Sequence, residues 1–263
     1  MMNIIDAHTH IFPDKIAGKA SKSIGDFYGL GMHSSASTAL LLESGAAIHT
    51  QRYLVCSSAV TPDQVTSIND FIAAECAKHP EFVGLAAMHR DFADYEAELD
   101  RVLTLGLKGV KFHNDFQKFN IDDERMFPIY EAIAKRRLKV LFHMGDARYD
   151  YSAPKRLARV CGLFPDLTVT GAHFGGYLRW EEAYDIPVFP NLYFDTSSSL
   201  AFLSKEKARR MIDKFGAERF MFGTDFPMWD SREELDRFLA LDLGEEANEL
   251  ILWKNFYRLY GLK

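Results

Sequence analysis

The chain has 263 residues, 48% of them hydrophobic, with 31 basic against 37 acidic side chains and a net charge of −6. That length suits one large domain or two small ones, and that apolar content can build a buried core. Mild acidity without any basic block argues against nucleic acid or an anionic membrane surface as the main partner. The three cysteines, Cys56, Cys76 and Cys161, are far apart and odd in number, which speaks against a disulfide framework or zinc ribbon and for buried free thiols. No basic stretch leads into an apolar one at the N-terminus, and no run of about 18 apolar residues occurs. The expectation is a soluble cytoplasmic protein acting on a small molecule, with a homodimer left open as the assembled state.

In chain order, residues 3–7 read as a short buried strand that ends in His8-Thr9-His10. Residues 11–50 break the rhythm with Pro13, Gly18, Gly25, Gly29, Gly31 and a Ser-rich patch at 34–37, and read as a long loop holding one helix from about Thr38 to Ala47. Strand-like runs then alternate with helical ones. Strands are expected at 52–59, 82–88, 107–112, 140–142, 167–172, 192–194 and 220–223. Helices are expected after 61, then near 95–105, 123–136, 154–162, 178–184, 204–214, 231–240, 245–253 and 255–260. Thr61-Pro62-Asp63-Gln64 and Ser231-Arg232-Glu233-Glu234 both have the spacing of a capping box. Eight apolar strands separated by helices over about 250 residues suit a single-domain (β/α)8 TIM barrel spanning 1–263, with a long loop insert after strand one. A doubly wound sheet would also alternate, but no Gly-x-Gly-x-x-Gly follows a strand, so dinucleotide binding has no support.

In a barrel the reactive side chains gather at the C-terminal ends of the strands. Those ends carry His8 and His10, Lys111 and His113, His143, His173, Asp195 and Asp225. In a strand, residues two apart share a face, so His8 and His10 aim at one point, as two ligands of one ion would. Any one histidine after an apolar strand is more often a hydrogen-bonded core residue. Five of the nine histidines at strand ends, with an aspartate ending the eighth strand, point jointly to a metal site. His79 suits a helix C-terminus, His33 and His49 suit the surface, and His89, ending strand three, reads as structural first and as pocket-lining second. Lys111 reads as a core-flanking lysine, a charge near substrate or a metal-bridging carbamate. Asp195 reads either as a functional group or as a brace for neighbouring loops.

The motifs Ile-Asp-Ala-His-Thr-His, Gly-Val-Lys-Phe-His-Asn-Asp-Phe-Gln, Leu-Phe-His-Met-Gly, Gly-Ala-His-Phe-Gly-Gly and Phe-Gly-Thr-Asp-Phe-Pro span residues 5 to 227. As an ordered set they resemble the amidohydrolase superfamily, in the branch of aminocarboxymuconate-semialdehyde decarboxylase-like enzymes and metal-dependent hydrolases. The resemblance implies His8, His10, His143 and Asp225 as ligands of one divalent ion, zinc first. It makes His173 a base or substrate-orienting group, or a ligand if a second metal binds. Two departures stand out: Asn114 follows His113 where the related pattern often has Pro, and Lys111 could supply the bridge of a two-metal site. TatD-like nucleases are similar at both ends but carry an acidic residue in place of Lys111 and His113.

Two chemistries follow. In hydrolysis a zinc-bound water, its pKa lowered to about 7, attacks an amide, lactone or ester, with Asp225 taking the proton and His173 and His113 facing the oxyanion. In non-oxidative decarboxylation His173 protonates the unsaturated carbon of a conjugated or aromatic acid while Lys111, Arg148 or Arg179 holds an anionic group. Hydrolysis is placed first, because residues 11–50 contain no arginine to grip a carboxylate. A non-catalytic metal-binding barrel is the third reading. The nitrogen and oxygen donors would also suit manganese, iron, cobalt or nickel.

Overall fold

The computed structural model describes residues 2–262. They form two compact units: one of residues 2–56, 75–83 and 196–262, the other of residues 57–74 and 84–195. The strands are β1 (Ile4–His10), β2 (Thr50–Cys56), β3 (Phe82–Gly84), β4 (Ala86–Ala87), β5 (Gly109–Phe112), β6 (Lys139–Phe142), β7 (Val169–Gly171), β8 (Leu192–Asp195) and β9 (Phe220–Met221).

In the first unit β1 pairs with β2 in parallel, and β3 continues that sheet. β1 is buried along nearly its whole length, polar residues included. β9 and the loop after it lie along β1: Ala7 N donates to Phe222 O at 2.8 Å and His10 N to Phe226 O at 2.8 Å. In the second unit β4 to β8 run parallel in sequence order. Its core is aromatic, with Phe112, Phe142 and Tyr130 packed ring against ring.

Three local expectations change. The segment after β1 holds a second helix, Asp14–Tyr28, where a loop was expected. Its buried residues are Ala17, Ser21 and Gly25, spaced four apart. A Cβ on Gly25 would come within 2.8 Å of Leu30 O, so this helix packs by close approach of its backbone. A strip of small residues gives no hydrophobic periodicity to read. The expected strand 82–88 is broken at Leu85, and its halves join different sheets. Finally, the helix Ser231–Leu239 is capped by Asp230, whose carboxylate accepts from Glu233 N at 3.0 Å. Ser231, expected as the cap, is buried and hydrogen bonds Ser44 at 2.7 Å.

The other expected helices stand close to their places. The last two are joined by a π-turn at Leu250–Lys254. Cys56 and Cys161 are buried free thiols, and Cys76 is half-buried. Among the described residues no helix is long and apolar enough to cross a membrane.

Candidate metal centre

In the first unit His8, His10 and Asp225 meet. Asp225 Oδ1 lies 3.5 Å from His8 Nε2 and 3.2 Å from His10 Nε2. One donor atom from each residue falls within 4.8 Å of the others, close enough to share an ion. His8 is fully buried, and Asp225 and His10 are nearly so.

A second buried carboxylate assembles this trio. Asp6 Oδ1 accepts from Thr224 N at 3.0 Å and His8 N at 3.2 Å, and Oδ2 accepts from Thr224 Oγ1 at 2.6 Å. Asp6 thereby ties the end of β1 to the loop after β9. Asp225 N then donates to His8 O at 2.9 Å. Asp225 sits at φ +60°, the left-handed region that aspartate tolerates better than most residues. At Gly223 a Cβ would stand 3.0 Å from the His8 Cβ, so glycine keeps this approach open.

The far side of each donor is occupied. His8 Nδ1 is 3.0 Å from Ser197 Oγ, and His10 Nδ1 is 3.6 Å from Cys56 Sγ. Asp225 Oδ2 accepts from Ser198 Oγ at 2.5 Å. Partners on the outer atoms orient ligands and leave Nε2, Nε2 and Oδ1 facing inward. Two imidazoles and a carboxylate so held fit a divalent transition metal.

The second unit holds its own cluster. His143 Nδ1 is 3.0 Å from His173 Nε2, and His143 Nε2 is 3.0 Å from Gly145 O. Asp195, ending β8, accepts from His173 N at 2.9 Å, so it braces the backbone of that histidine. Asp115 Oδ2 accepts from Ser152 Oγ at 2.5 Å and lies 3.5 Å from His143 Nε2. Burial pushes the Asp115 carboxyl up to about 7, with Ser152 pulling the other way. His113, Asp115 and His143 are close enough to suggest another ion. Yet the His113 and His143 rings stack 3.9 Å apart and within 6° of parallel. Their in-plane lone pairs run side by side instead of converging, which makes this a packed, hydrogen-bonded group.

Lys111 is buried on β5, 1% exposed. Arg148 is bound to Asp146 at 3.0 and 2.7 Å. Arg179 is shared between Glu182 at 2.7 Å and Asp150 at 3.2 Å. Both arginines thus already face carboxylates of their own unit. His89 is structural, as expected: it is buried against Phe119, its Nδ1 accepts from Asp91 N at 3.1 Å, and desolvation lowers its pKa. His79 pairs with Glu81 at 3.4 Å and His33 with Asp230 at 3.3 Å. His49 is exposed, in a turn at φ +58°. Sequence reasoning missed Asp6, Asp115, Ser197 and Ser198. Asp115 stands inside a quoted motif, and the serines follow Asp195 directly, so adjacency was the available signal.

Glu234 is 1% exposed in the first unit. Burial lifts its carboxyl from 4.5 to about 7, against the pull of Arg237 at 2.5 Å, and Asp225 and Asp6 add to the rise. An acid with a raised folded pKa binds its proton more tightly when folded. Its stabilisation is complete below the unfolded value and is lost as pH climbs through about 7. Glu234→Gln in the metal-free protein is expected to flatten the fall in stability between pH 5 and 8 by about 3 kcal/mol. Urea midpoints at the two pH values measure this, and an unchanged slope would refute it.

The amidohydrolase family model matches residues 5–262, so the chain belongs to the amidohydrolase family. Among curated proteins it is 26% identical over 203 residues to the 2-amino-3-carboxymuconate-6-semialdehyde decarboxylase of Dictyostelium discoideum. That match covers 63% of this chain and 56% of the relative's length. Among solved structures it is similar to an uncharacterised TIM-barrel protein of Bordetella bronchiseptica, with TM-score 0.78, 25% identity and 99% of each chain covered. It is also similar in fold to the dihydroxybenzoic acid decarboxylase of a Polaromonas species, solved with manganese and the inhibitor 2-nitroresorcinol. There the TM-score is 0.76 and the identity 16%, with 99% of this chain and 97% of that one covered. The fold is the (β/α)8 barrel expected from the strand rhythm.

Proposed function

We propose that the protein is a metal-dependent carboxy-lyase that removes carbon dioxide from a conjugated or aromatic carboxylic acid. The observation that carries it is the convergence of His8 Nε2, His10 Nε2 and Asp225 Oδ1, each held from behind. Hydrolysis stood first on sequence grounds. The order is reversed because relatives of this chain are named decarboxylases.

In this reading His8, His10 and Asp225 hold one divalent cation, with zinc and manganese both suited to the donors. His143, which the resemblance implies as a further ligand, lies in the cluster of the second unit. His143 Nε2 is bonded to Gly145 O and its Nδ1 to His173 Nε2, so both ring nitrogens have partners. When bound, such a cation fixes and polarises an oxygen of the substrate. His173 carries the proton that replaces the departing carboxyl group. Its backbone is anchored on Asp195 and its Nε2 is directed toward His143. Lys111, buried on β5, stands with Arg148 and Arg179 as a candidate to face an anionic substrate group.

Purified protein incubated with dihydroxybenzoic and muconate-type acids is expected to release bicarbonate. A chelator should abolish the release, and Mn²⁺ or Zn²⁺ should restore it. Metal-dependent opening of lactones or esters without bicarbonate from any acid would return hydrolysis to first place.

A further inference from the structure

We infer that Ser198 and Trp229 form a positioning relay that sets the affinity of the Asp225 centre for its cation and makes Trp229 an optical reporter of occupancy. The inference rests on the proposed metal-binding role of Asp225. It concerns residues that neither the sequence motifs nor the family resemblance singled out.

The chemistry of each group dictates the direction of the relay. An indole N–H can only donate, and an ionised carboxylate can only accept. Trp229 Nε1 lies 2.9 Å from Ser198 Oγ, and Ser198 Oγ lies 2.5 Å from Asp225 Oδ2. The serine oxygen must therefore accept from the indole and give its single proton to Oδ2. With Oδ2 so held, the carboxylate cannot rotate freely, and Oδ1 stays toward His8 and His10. A hydroxyl without the indole donor could turn its proton elsewhere.

The backbone supports the same assignment. Consecutive side chains normally point to opposite sides of an extended chain. Here Ser197 reaches His8 and Ser198 reaches Asp225, two members of one trio. Ser198 is in the left-handed region at φ +49°, which re-aims it. A non-glycine residue in that conformation costs on the order of 1 kcal/mol or more and persists where its surroundings hold it. Trp229 is fixed in turn: Phe202 packs edge-on at 5.7 Å, and the Arg237 guanidinium lies 5.3 Å from the indole centroid.

The test compares Ser198→Ala, Ser198→Gly and Trp229→Phe with the unaltered protein, all stripped of metal and titrated with Mn²⁺ and with Zn²⁺ against a chelator. Outer partners of metal ligands typically set affinity by about 10- to 100-fold. Ser198→Ala and Ser198→Gly are both expected to weaken binding by about 10-fold or more. Glycine relaxes the backbone, so Ser198→Gly should lose affinity while its metal-free melting temperature holds or rises. A role in folding alone would give the opposite pattern. Trp229→Phe should weaken binding by a smaller factor, about 3-fold, and should abolish the change in indole fluorescence that metal produces in the unaltered protein. Wild-type affinity in Ser198→Gly, or a full fluorescence response in Trp229→Phe, would overturn the relay. Failure of the unaltered protein to bind either cation would instead overturn the metal-centre reading beneath it.

Discussion

Asp225→Asn is expected to leave the protein unable to retain a divalent cation. The substitution preserves shape and removes the only anionic donor in the trio of His8, His10 and Asp225. Asparagine tolerates φ +60°, and the Asp225 N to His8 O bond does not involve the side chain, so the fold should survive. An amide oxygen is a much weaker ligand than a carboxylate, and two imidazoles alone hold a metal poorly. Elemental analysis after desalting should find about one ion per chain in the unaltered protein and less than about a tenth of that in the variant, with unchanged circular dichroism. Bicarbonate release should fall to background in parallel. Full metal content in Asp225→Asn would remove Asp225 from the ligand set.

Gly145→Ala should produce the largest loss of stability among single methyl additions in the second unit. Gly145 sits at φ +79°, and a Cβ there would fall 2.4 Å from both N and O of Tyr177 and 2.6 Å from Gly176 C. Those neighbours are backbone and cannot swing aside. Tyr177 N is bonded to Met144 O at 2.8 Å, and Gly145 N to Ser152 O at 2.9 Å. Strain and collision together should cost about 4 kcal/mol or more, lowering the melting temperature by about 10 °C. Because Gly145 O also holds His143 Nε2, the variant should lose activity even at temperatures where it stays folded. A melting temperature within about 2 °C of the parent would show that this turn yields more easily than its contacts imply.

Much of this architecture can be read from one chain. Parallel strands buried on both faces are short apolar runs, and a polar residue that interrupts their ends is conspicuous. His8, His10, His113, His143, His173 and Asp225 were all found that way. The helix Asp14–Tyr28 was not, because its buried side is Ala17, Ser21 and Gly25. Close backbone approach leaves no apolar stripe in the text. Asp6 was read as part of a strand, since nothing local distinguishes a buried carboxylate that anchors Thr224 from one that faces water.

The residue order by itself determined the rhythm of strand and helix, the strand termini and the residue types placed there, because periodicity and hydropathy are local properties. Tertiary structure alone decided that Asp225 faces His8 and His10, that the parallel rings of His113 and His143 pack instead of converging on an ion, and that two adjacent serines serve one trio. Those outcomes depend on the left-handed backbone at Ser198 and Asp225 and on hydrogen bonds joining positions more than two hundred residues apart, such as Thr224 to Asp6. No window along the chain is wide enough to contain them.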